Sequence, residues 1–487
     1  MGAPRKTKII CTVGPATASY EGISALAEAG MNVVRLNMSH ADHESARRAI
    51  GWVKTLNRKI PYPVAVLLDT QGPEIRTGML SQPMNLETGD IVTVSVRDSV
   101  EVEQTSIHVN YQELVDVLSE GDRLTVDNGL INFEVLEKQG EQLVCRVLDG
   151  GKLGSKKHVN LPGIKVNLPA ITAKDREDIL FGIEHDVDFI ALSFVRSAGD
   201  VAELRELLGA KAKNIKIVAK IEDQEGVSNI AEIVRAADGV MVARGDLGIE
   251  TDVADLPNIQ RRIVHACARQ GRRCIVATHL LESMIENPIP TRAEVTDVAN
   301  AIYEGVDAVM LSGETSVGKH PQRCVEQLVA ISERAERWPG LGYERELSAN
   351  TDKQHLAVHA VALAESIEAI GIVVITRRGI MADLVTNARP ARVPIYAFTN
   401  HSQTRRRLAL NRSVTAFRTT FSTDPEKTLQ RALKALIAAR GERPGEGPVA
   451  EKVTGKVAGK VVVISDVLAE TPTDAIQIRQ LASDSAE

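Results

Sequence analysis

The stretch Lys216-Ile217-Val218-Ala219-Lys220-Ile221-Glu222 joins an apolar run to two charged residues at its end. A second run, Gly239-Val240-Met241-Val242, leads into Arg244 and Asp246 in the same way. Short runs rich in Val and Ile, without polar alternation, are typical of parallel strands that are buried on both faces. We therefore predict two neighbouring strands whose ends bring an ammonium group and two carboxylates to one place.

Runs of this kind recur along the chain, and helical patterns such as 200–208 and 258–270 lie between most of them. The eight runs are Lys8–Cys11, Asn32–Leu36, Val64–Leu68, Phe189–Leu192, Ile215–Ala219, Gly239–Val242, Cys274–Ala277 and Ala308–Leu311. Eight strand–helix units in series predict an α/β fold, a (β/α)₈ TIM barrel. The active site of such a barrel lies at the carboxyl ends of its strands.

The residues that follow the eight runs are nearly all polar, as an active site at that end requires. They are Thr12, Asn37, Ser39, His40, Asp69, Thr70, Ser193, Lys220, Glu222, Arg244, Asp246, Thr278, His279, Ser312 and Glu314. Paired carboxylates suit a hard divalent cation such as Mg²⁺, and a lysine beside it can stabilise negative charge on a substrate oxygen. The alternative is a structural salt-bridge ladder between neighbouring barrel strands.

Two further domains are predicted around the barrel, which takes residues 1–71 and 166–340. Residues 72–165 form an inserted, β-barrel-like lid domain, because partly alternating β stretches at 91–96, 123–126 and 143–147 are separated by turn-like segments. Residues 345–487 form a smaller C-terminal α/β domain. Its predicted elements are helices at 356–368 and 427–438 and strands at 371–375, 393–398 and 460–464.

Composition narrows the function class. The chain has 487 residues, a net charge of −6 and a pI near 6.1, which argue against nucleic-acid binding. Five cysteines in irregular spacing indicate neither a disulfide framework nor a zinc site, so a reducing cytoplasm is expected. No apolar run approaches the roughly 20 residues of a membrane span, so no membrane partner is expected.

Seven segments in order resemble the pyruvate kinase family, and the resemblance covers nearly the whole chain. They are Thr7–Pro15, Val34–His40, Leu68–Gly78, Lys220–Glu222, Arg244–Gly248, Pro290–Glu294 and Leu311–Thr315. Any one segment is a weak signal, whereas seven in the family's order are very specific. The family's barrel, lid and C-terminal domain agree with the three parts predicted above.

The resemblance implies transfer of a phosphoryl group from phosphoenolpyruvate to ADP, which gives ATP and pyruvate in glycolysis. It implies that Glu222 and Asp246 bind Mg²⁺ (or Mn²⁺), and that Gly245 lies with Asp246 in the substrate site. Lys220 is expected to neutralise the transferring phosphoryl group and the developing enolate. Such chemistry needs positioning and charge neutralisation more than covalent help.

The remaining implied roles belong to the phosphate, the enolate, a monovalent cation and the nucleotide. Arg35 is expected to bind the phosphate with Arg76 nearby, and Thr278 to lie on the protonation side of the enolate. The implied K⁺ ligands are Asn37, Ser39, Asp69 and the Thr70 carbonyl, and the implied nucleotide contacts are His40, Arg76 and Lys174. K⁺ dependence is expected because Glu74 stands where K⁺-dependent members carry Glu. Family members are usually homotetramers.

Structural readings of the same residues stay open at this point. Asn37 and Ser39 are also common helix caps, and Asp69 is also suited to capping its loop. Arg35 can pair with a structural carboxylate, and Thr278 can be an ordinary hydroxyl at a strand end. Other functions that remain open are a Mg²⁺-enolate lyase or aldolase and a non-catalytic metabolite sensor.

The chain also departs from the commonest family pattern. Gln71 replaces a usual Lys, Asp127-Asn128-Gly129 replaces a double Asp before Gly, and His279-Leu280 follows Thr278 where Gln-Met is common. These changes predict altered nucleotide affinity. The sugar-phosphate effector loop reads Thr376-Arg377-Arg378-Gly379-Ile380-Met381 and has lost two hydroxyls. We therefore expect weak or absent activation by fructose 1,6-bisphosphate.

Overall fold

The computed structural model describes residues 5–96, 106–441, 459–465 and 474–481. The strands are β1 (Lys8–Thr12), β2 (Val33–Asn37), β3 (Ala65–Asp69), β4 (Met84–Leu86), β5 (Ile91–Ser95), β6 (Ser106–His108), β7 (Arg123–Val126), β8 (Ile131–Gln139), β9 (Gln142–Asp149), β10 (Gly151–Leu153), β11 (Val159–Asn160), β12 (Phe189–Leu192), β13 (Lys216–Ile221), β14 (Gly239–Ala243), β15 (Arg273–Ala277), β16 (Ala308–Leu311), β17 (Gly371–Ile375), β18 (Ile395–Thr399), β19 (Val414–Arg418), β20 (Gly459–Ser465) and β21 (Ala475–Leu481).

The α-helices are α1 (Tyr20–Ala29), α2 (His43–Leu56), α3 (Leu114–Val117), α4 (Ala173–Glu184), α5 (Ala198–Leu208), α6 (Gln224–Ser228), α7 (Ile230–Ala236), α8 (Arg244–Glu250), α9 (Leu256–Gln270), α10 (Arg292–Tyr303), α11 (Gly313–Ser316), α12 (Pro321–Ala335), α13 (Asp352–Ser366), α14 (Ile380–Asn387), α15 (Ser402–Arg407) and α16 (Pro425–Gly441). Short 3₁₀ segments lie at Gly209–Lys213, Glu282–Ile285, Tyr343–Glu346 and Leu408–Leu410. Among the described residues no helix has the length and apolar character needed to cross a membrane.

Eight parallel strands close into a barrel in the order β1-β16-β15-β14-β13-β12-β3-β2. The TIM-barrel prediction is confirmed, and each predicted strand overlaps an observed one within one or two residues. One detail was wrong: four residues predicted to follow their strands lie within them, at or next to the last residue, namely Thr12 in β1, Asn37 in β2, Asp69 in β3 and Lys220 in β13. Strand β13 is longer than its apolar run because Lys220, although charged, is buried beside carboxylate partners.

The barrel is packed on two faces, as its uninterrupted apolar strands require. One set of side chains meets the surrounding helices, and the other, including Ile10 and Met241, fills the interior. Ala409 and Leu410 join the interior set from the C-terminal part of the chain. They close the amino end of the barrel, so this interior is a filled core and not a channel.

Three aspartates tie neighbouring strands together at the amino end. Each precedes one strand, and its carboxylate accepts a hydrogen bond from a backbone N–H at the start of the strand beside it. The pairs are Asp188 with Val66 N (3.0 Å), Asp238 with Ile217 N (3.0 Å) and Asp307 with Cys274 N (2.9 Å). These bonds satisfy donors that the barrel's own ladder leaves free.

Arginines of the C-terminal part dock onto two of these aspartates, Asp188 and Asp307. Arg406 Nε lies 2.9 Å from Asp188 Oδ1, and Arg389 Nη2 lies 2.7 Å from Asp307 Oδ2. Asp307 also binds Arg273 Nη1 at 2.9 Å, so its buried charge is shared by two guanidinium groups. The amino end of the barrel is thus the surface that holds the C-terminal domain.

The segment between β3 and β12 forms separate sheets around its own core. Six strands pair in the order β11-β7-β8-β9-β5-β6, and β10 pairs with β4. Apolar side chains such as Phe133 and Leu143 bury themselves between these elements. The predicted β segment is therefore confirmed as an additional sheet domain inserted after the third barrel strand.

The C-terminal domain is a five-stranded sheet in the order β19-β18-β17-β20-β21, in which β21 alone runs antiparallel to its neighbour. Helices cover both of its faces and form two apolar clusters. The five elements predicted here are observed, whereas β19 and β21 were not predicted. The exact domain limits of residues 1–71 with 166–340, 72–165 and 345–487 stay predictions.

Candidate active site

Lys220 is the centre of a buried charge network at the carboxyl end of the barrel. Its Nζ lies 2.9 Å from Glu222 Oε1, 3.1 Å from Asp69 Oδ1 and 2.7 Å from Ser193 Oγ. Burial alone would lower the pKa of Lys220, but the Asp69 and Glu222 carboxylates outweigh it and raise that pKa above its ordinary value. The two carboxylates therefore favour the positively charged form of Lys220.

Arg35 joins the network from β2 through the same aspartate. Its Nε donates to Asp69 Oδ2 at 2.6 Å, and its Nη1 donates to Thr12 Oγ1 at 3.0 Å. Burial would raise the pKa of Asp69, but Lys220 and Arg35 lower it below its ordinary value. Both cations are thus held at one carboxylate, with donors left over for an anion.

Glu222 and Asp246 give this end of the barrel an excess of negative charge beyond what Lys220 neutralises. Burial raises the pKa of Glu222; Lys220 opposes the shift and the Asp246 carboxylate adds to it. Glu222 Oε2 accepts the backbone N–H of Phe194 at 2.6 Å. Within the described part of the chain, the Asp246 carboxylate accepts no hydrogen bond. Asp246 lies in the first turn of α8, close to the end of β14.

Gly245 and Thr278 meet across adjacent strand ends. The backbone N–H of Gly245 donates to Thr278 Oγ1 at 2.7 Å, and that hydroxyl donates to the Ala277 carbonyl at 2.6 Å. Thr278 has a φ of 68°, which is rare for a β-branched residue. Arg244 Nη2 donates to the Thr278 carbonyl at 2.7 Å and holds this conformation. Backbone strain of this kind concentrates at functional sites.

The four predicted K⁺ ligands lie at the carboxyl ends of β2 and β3 and in the loops that follow these two adjacent strands. Asn37 pairs with Asp69 in the strand register, and the Asn37 side chain accepts the Ser39 N–H at 3.2 Å. The Thr70 carbonyl accepts from Ser193 Oγ at 2.8 Å. The helix that follows is capped by Asp42, which removes the helix-cap alternative for Asn37 and Ser39.

The three predicted nucleotide contacts lie outside this network. Arg76 Nε pairs with Glu74 Oε2 at 2.6 Å, and its Nη1 donates to the Lys156 carbonyl of the inserted sheet domain. Lys174 Nζ binds the Met38 carbonyl and Asp178, both at 2.7 Å. His40 is exposed, and only its backbone N–H, which donates to Asn37, has a partner among the described residues.

Ser193 is a central residue to which no role was predicted. Its hydroxyl accepts from Lys220 and donates to the Thr70 carbonyl, while its N–H donates to Thr70 Oγ1 at 3.1 Å. It thereby connects the predicted catalytic lysine to the predicted cation loop. The sequence signal for Ser193 was its position directly after β12. Polar residues also follow the other barrel strands, and only the geometry of the structure distinguishes Ser193 from them.

The alternative of a salt-bridge ladder is partly correct, because Lys220 and Arg35 do pair with carboxylates here. A purely structural ladder would not leave the buried Asp69 Oδ1 without a well-aligned hydrogen bond. The described residues contain no group of three or more His, Cys, Asp or Glu arranged for a metal. Two carboxylates still suit Mg²⁺, which keeps several non-protein ligands.

Comparisons with known proteins identify the family. Residues 4–325 match the model of the pyruvate kinase barrel domain, and residues 354–477 match the model of the pyruvate kinase alpha/beta domain. The chain is 47% identical over 416 residues to the pyruvate kinase of Geobacillus stearothermophilus, covering 83% of this chain and 70% of that one.

Two further relatives carry the same name in other lineages. Identity to pyruvate kinase isozyme G, chloroplastic, of Nicotiana tabacum is 42% over 443 residues, covering 90% of this chain and 78% of that one. Identity to the pyruvate kinase of Clostridium perfringens is 39% over 438 residues, covering 88% and 92%. The match runs through the barrel with its charge network and through the C-terminal sheet, and the chain therefore belongs to the pyruvate kinase family.

Proposed function

We propose that the network around Lys220 carries out the family's reaction, in which phosphoenolpyruvate gives its phosphoryl group to ADP and forms pyruvate and ATP. The observation that carries the proposal is the placement of two fixed cations, Lys220 and Arg35, on the single carboxylate of Asp69. Phosphoryl transfer depends on such preorganised charge, because little covalent chemistry is needed.

Arg35 and Lys220 are proposed to bind the substrate phosphate. A guanidinium presents a planar fork of N–H donors. In Arg35, Nε donates to Asp69 and Nη1 donates to Thr12, and the remaining donors are available to the phosphate. Lys220 then neutralises charge as it shifts from the phosphoryl group to the enolate oxygen. Because Ser193 and two carboxylates hold Nζ in place, little reorganisation is needed during the reaction.

Glu222 and Asp246 are proposed as the protein ligands of a divalent cation, with Gly245 beside the substrate carboxylate. The family is generally metal-dependent, and Mg²⁺ or Mn²⁺ suits these oxygen donors. Burial raises the pKa of Glu222 against the opposing effect of Lys220, and the Asp246 carboxylate adds to the rise, so the charged form of Glu222 gains from a bound cation. When bound, the ion would supply Lewis-acid stabilisation of the enolate.

A monovalent cation, K⁺, is proposed at Asn37, Ser39, Asp69 and the Thr70 carbonyl. Asp69 Oδ1 lies near Lys220 but accepts no well-aligned hydrogen bond, so a lone pair remains available. The Thr70 carbonyl uses one of its two lone pairs on Ser193. Hard oxygen ligands of this kind are suited to K⁺, as Glu74 also led us to expect.

Thr278 is proposed to lie on the face of the enolate that receives the proton. Its hydroxyl already donates to the Ala277 carbonyl and accepts from Gly245, so its role is to orient a water and not to donate a proton itself. The left-handed backbone of Thr278 sets the direction of that hydroxyl.

The nucleotide is proposed to contact His40, Arg76 and Lys174. Lys174 uses two of its three N–H donors on Met38 and Asp178, which leaves one for a phosphate oxygen. Arg76 likewise assists at the phosphate, and its bond to the Lys156 carbonyl fixes it within the inserted segment that contains both residues. We also propose a cytoplasmic homotetramer, which light scattering of the purified protein can test.

The test is pyruvate formation by the purified protein with phosphoenolpyruvate, ADP, Mg²⁺ and K⁺, beside a Lys220→Met variant. Activity should depend on both ions and should be abolished in the variant. Lys211→Met is the matched control, because Lys211 is an exposed lysine paired with Asp186 far from the site. An active Lys220→Met variant, or an inactive wild type that still binds Mg²⁺, would refute the proposal in favour of a lyase or a sensor.

A further inference from the structure

The two loops that carry the proposed K⁺ ligands touch a helix that supplies none of those ligands. One loop leaves β2 at its last residue, Asn37, and continues with Met38 and Ser39, and the other leaves β3 at its last residue, Asp69, and continues with Thr70. Helix α4 begins at Ala173, and its first turns approach both loops. The contacts are made by polar side chains, of which Asp175 and Asp178 are buried and Lys174 is half-exposed, and together they fix α4 relative to each loop.

Asp175 attaches α4 to the loop after β3. Its Oδ1 accepts the backbone N–H groups of Gln71 and Gly72, both at 3.0 Å, directly after Thr70. Its Oδ2 completes the capping box with Thr172. Asp175 is completely buried, and its charge is stabilised by four donors and by the amino end of the helix.

Asp178 attaches α4 to the loop after β2 by way of Lys174. Lys174 Nζ donates to the Met38 carbonyl, between Asn37 and Ser39, and to Asp178 Oδ2, each at 2.7 Å. Asp178 Oδ1 lies 2.7 Å from His43 Nε2 of the helix that continues this loop. The Asp178 side chain is only 4% exposed, so water does not easily replace these partners.

We propose that Lys174, Asp175 and Asp178 are positioning residues for the monovalent cation. They set the separation of the two loops, and therefore the size of the oxygen cage, without contacting the ion. The inference rests on the proposed function, since it requires a K⁺ site at these loops. Residues that orient ligands from outside the coordination shell typically change metal affinity ten- to a hundredfold when they are altered.

The experiment measures K⁺ activation of Asp178→Asn and Asp175→Asn, two variants that keep side-chain size. Activity is titrated with KCl while tetramethylammonium chloride holds the ionic strength constant. The half-saturating K⁺ concentration should rise about tenfold or more, while kcat at saturating K⁺ stays near the wild-type value. Asp200→Asn is the matched control, because Asp200 completes an equivalent capping box on α5 and touches neither loop.

A second readout does not depend on activity. Binding of K⁺ to the native state raises the melting temperature by an amount that grows with the logarithm of 1 + [K⁺]/Kd, so the Kd obtained by fitting melting temperature against K⁺ concentration should rise by the same factor in each variant. Asp178→Asn carries the test alone if Asp175→Asn fails to fold.

The outcomes separate the inference from the proposed function. A wild type with no K⁺ response in either readout refutes the K⁺ site itself, and the positioning role with it. A wild type that responds, with both α4 variants unchanged or with Asp200→Asn shifted equally, overturns the positioning role and leaves the reaction in place.

Discussion

The two ends of the barrel use the same residue types in opposite ways. At the amino end, Asp307 is fully buried, binds Arg273 and Arg389 and also accepts a backbone N–H. At the carboxyl end, Glu222 is equally buried, but it shares one lysine with Asp69 and lies near a second carboxylate, Asp246. Cations are in excess over carboxylates around Asp307, and carboxylates are in excess over cations around Glu222.

The pKa shifts express this difference. Burial would raise the pKa of Asp307, but Arg389 and Arg273 lower it, so the charged form suits the folded state. Burial raises the pKa of Glu222 and Asp246 adds to the rise, so the charged form is costly there. The contrast holds for Asp307 and Glu222 and not for every carboxylate of each end. Burial raises the pKa of Asp188 at the amino end to about 6, whereas at the carboxyl end burial is outweighed by Lys220 and Arg35, which lower the pKa of Asp69. Asp307 therefore stabilises the fold, and the charge imbalance around Glu222 is one that a bound cation can correct.

The largest expected effect comes from removing charge at the carboxyl end. Glu222→Gln should lower kcat/KM by about two to three orders of magnitude, the range found when one preorganised electrostatic group is lost. Its stability at pH 8 should equal or exceed that of the wild type, because a carboxylate with a raised pKa destabilises the folded state above its unfolded pKa. Steady-state kinetics and thermal unfolding measure both, and a large drop in melting temperature would contradict the comparison.

The opposite pattern is expected at the amino end. Asp307→Asn leaves two buried guanidinium groups without their carboxylate, so the free energy of unfolding should fall by about 3–5 kcal/mol. The kcat of the molecules that remain folded should be close to that of the wild type. Urea unfolding and active-site titration measure these quantities.

Glu286→Gln is the control for Asp307→Asn, because it removes an exposed pair with Lys319. Its effect should stay below about 1 kcal/mol, as for other surface pairs. If Asp307→Asn cost no more than this control, the buried network at the amino end would have no special role in stability.

A smaller effect is expected in the pH dependence of the stability of Asp307→Asn. Because the folded-state pKa of Asp307 is lowered, its contribution is complete above the unfolded pKa of about 4 and is lost as pH falls through the folded value. The difference in unfolding free energy between wild type and Asp307→Asn should be constant from pH 8 to 5 and shrink below about pH 4. A difference that grew on acidification would reverse the assigned sign.

The barrel could be predicted from sequence because its strands are almost uniformly apolar and carry their signal locally. The run at 239–242 is an example, since all of its residues are buried on both faces. Strand β21 escaped prediction because it lies at an edge, and all of its residues except the buried Leu481 are partly or fully exposed. Edge strands have one unpaired side and need no continuous apolar run.

The candidate site could be predicted only as far as residue type and strand ends allow. Lys220, Glu222 and Asp69 were assigned correctly to one end of the barrel, and the structure joins them. The pairing of Asp307 with Arg389 was not predictable, because it spans two domains and neither residue belongs to a periodic pattern. Contacts made through folding of distant segments leave no local signal.

The smallest expected effect concerns a third group of arginines, at the start of the C-terminal domain. Thr376 Oγ1 accepts the Gly379 N–H at 3.1 Å, so the turn of the effector loop is kept although its other hydroxyls are missing. Arg377 lies over the Phe421 ring at 6.0 Å, which directs its charge to an aromatic face and away from the loop. A phosphate cradle made of hydroxyls and amides is therefore incomplete.

Saturating fructose 1,6-bisphosphate should change the half-saturating phosphoenolpyruvate concentration by less than about twofold, an energy below about 0.4 kcal/mol. A sharp decrease in that concentration would show that Arg377 and Arg378 replace the lost hydroxyls, and that this arginine pair, unlike the arginines docked on Asp188 and Asp307, is kept free for a ligand.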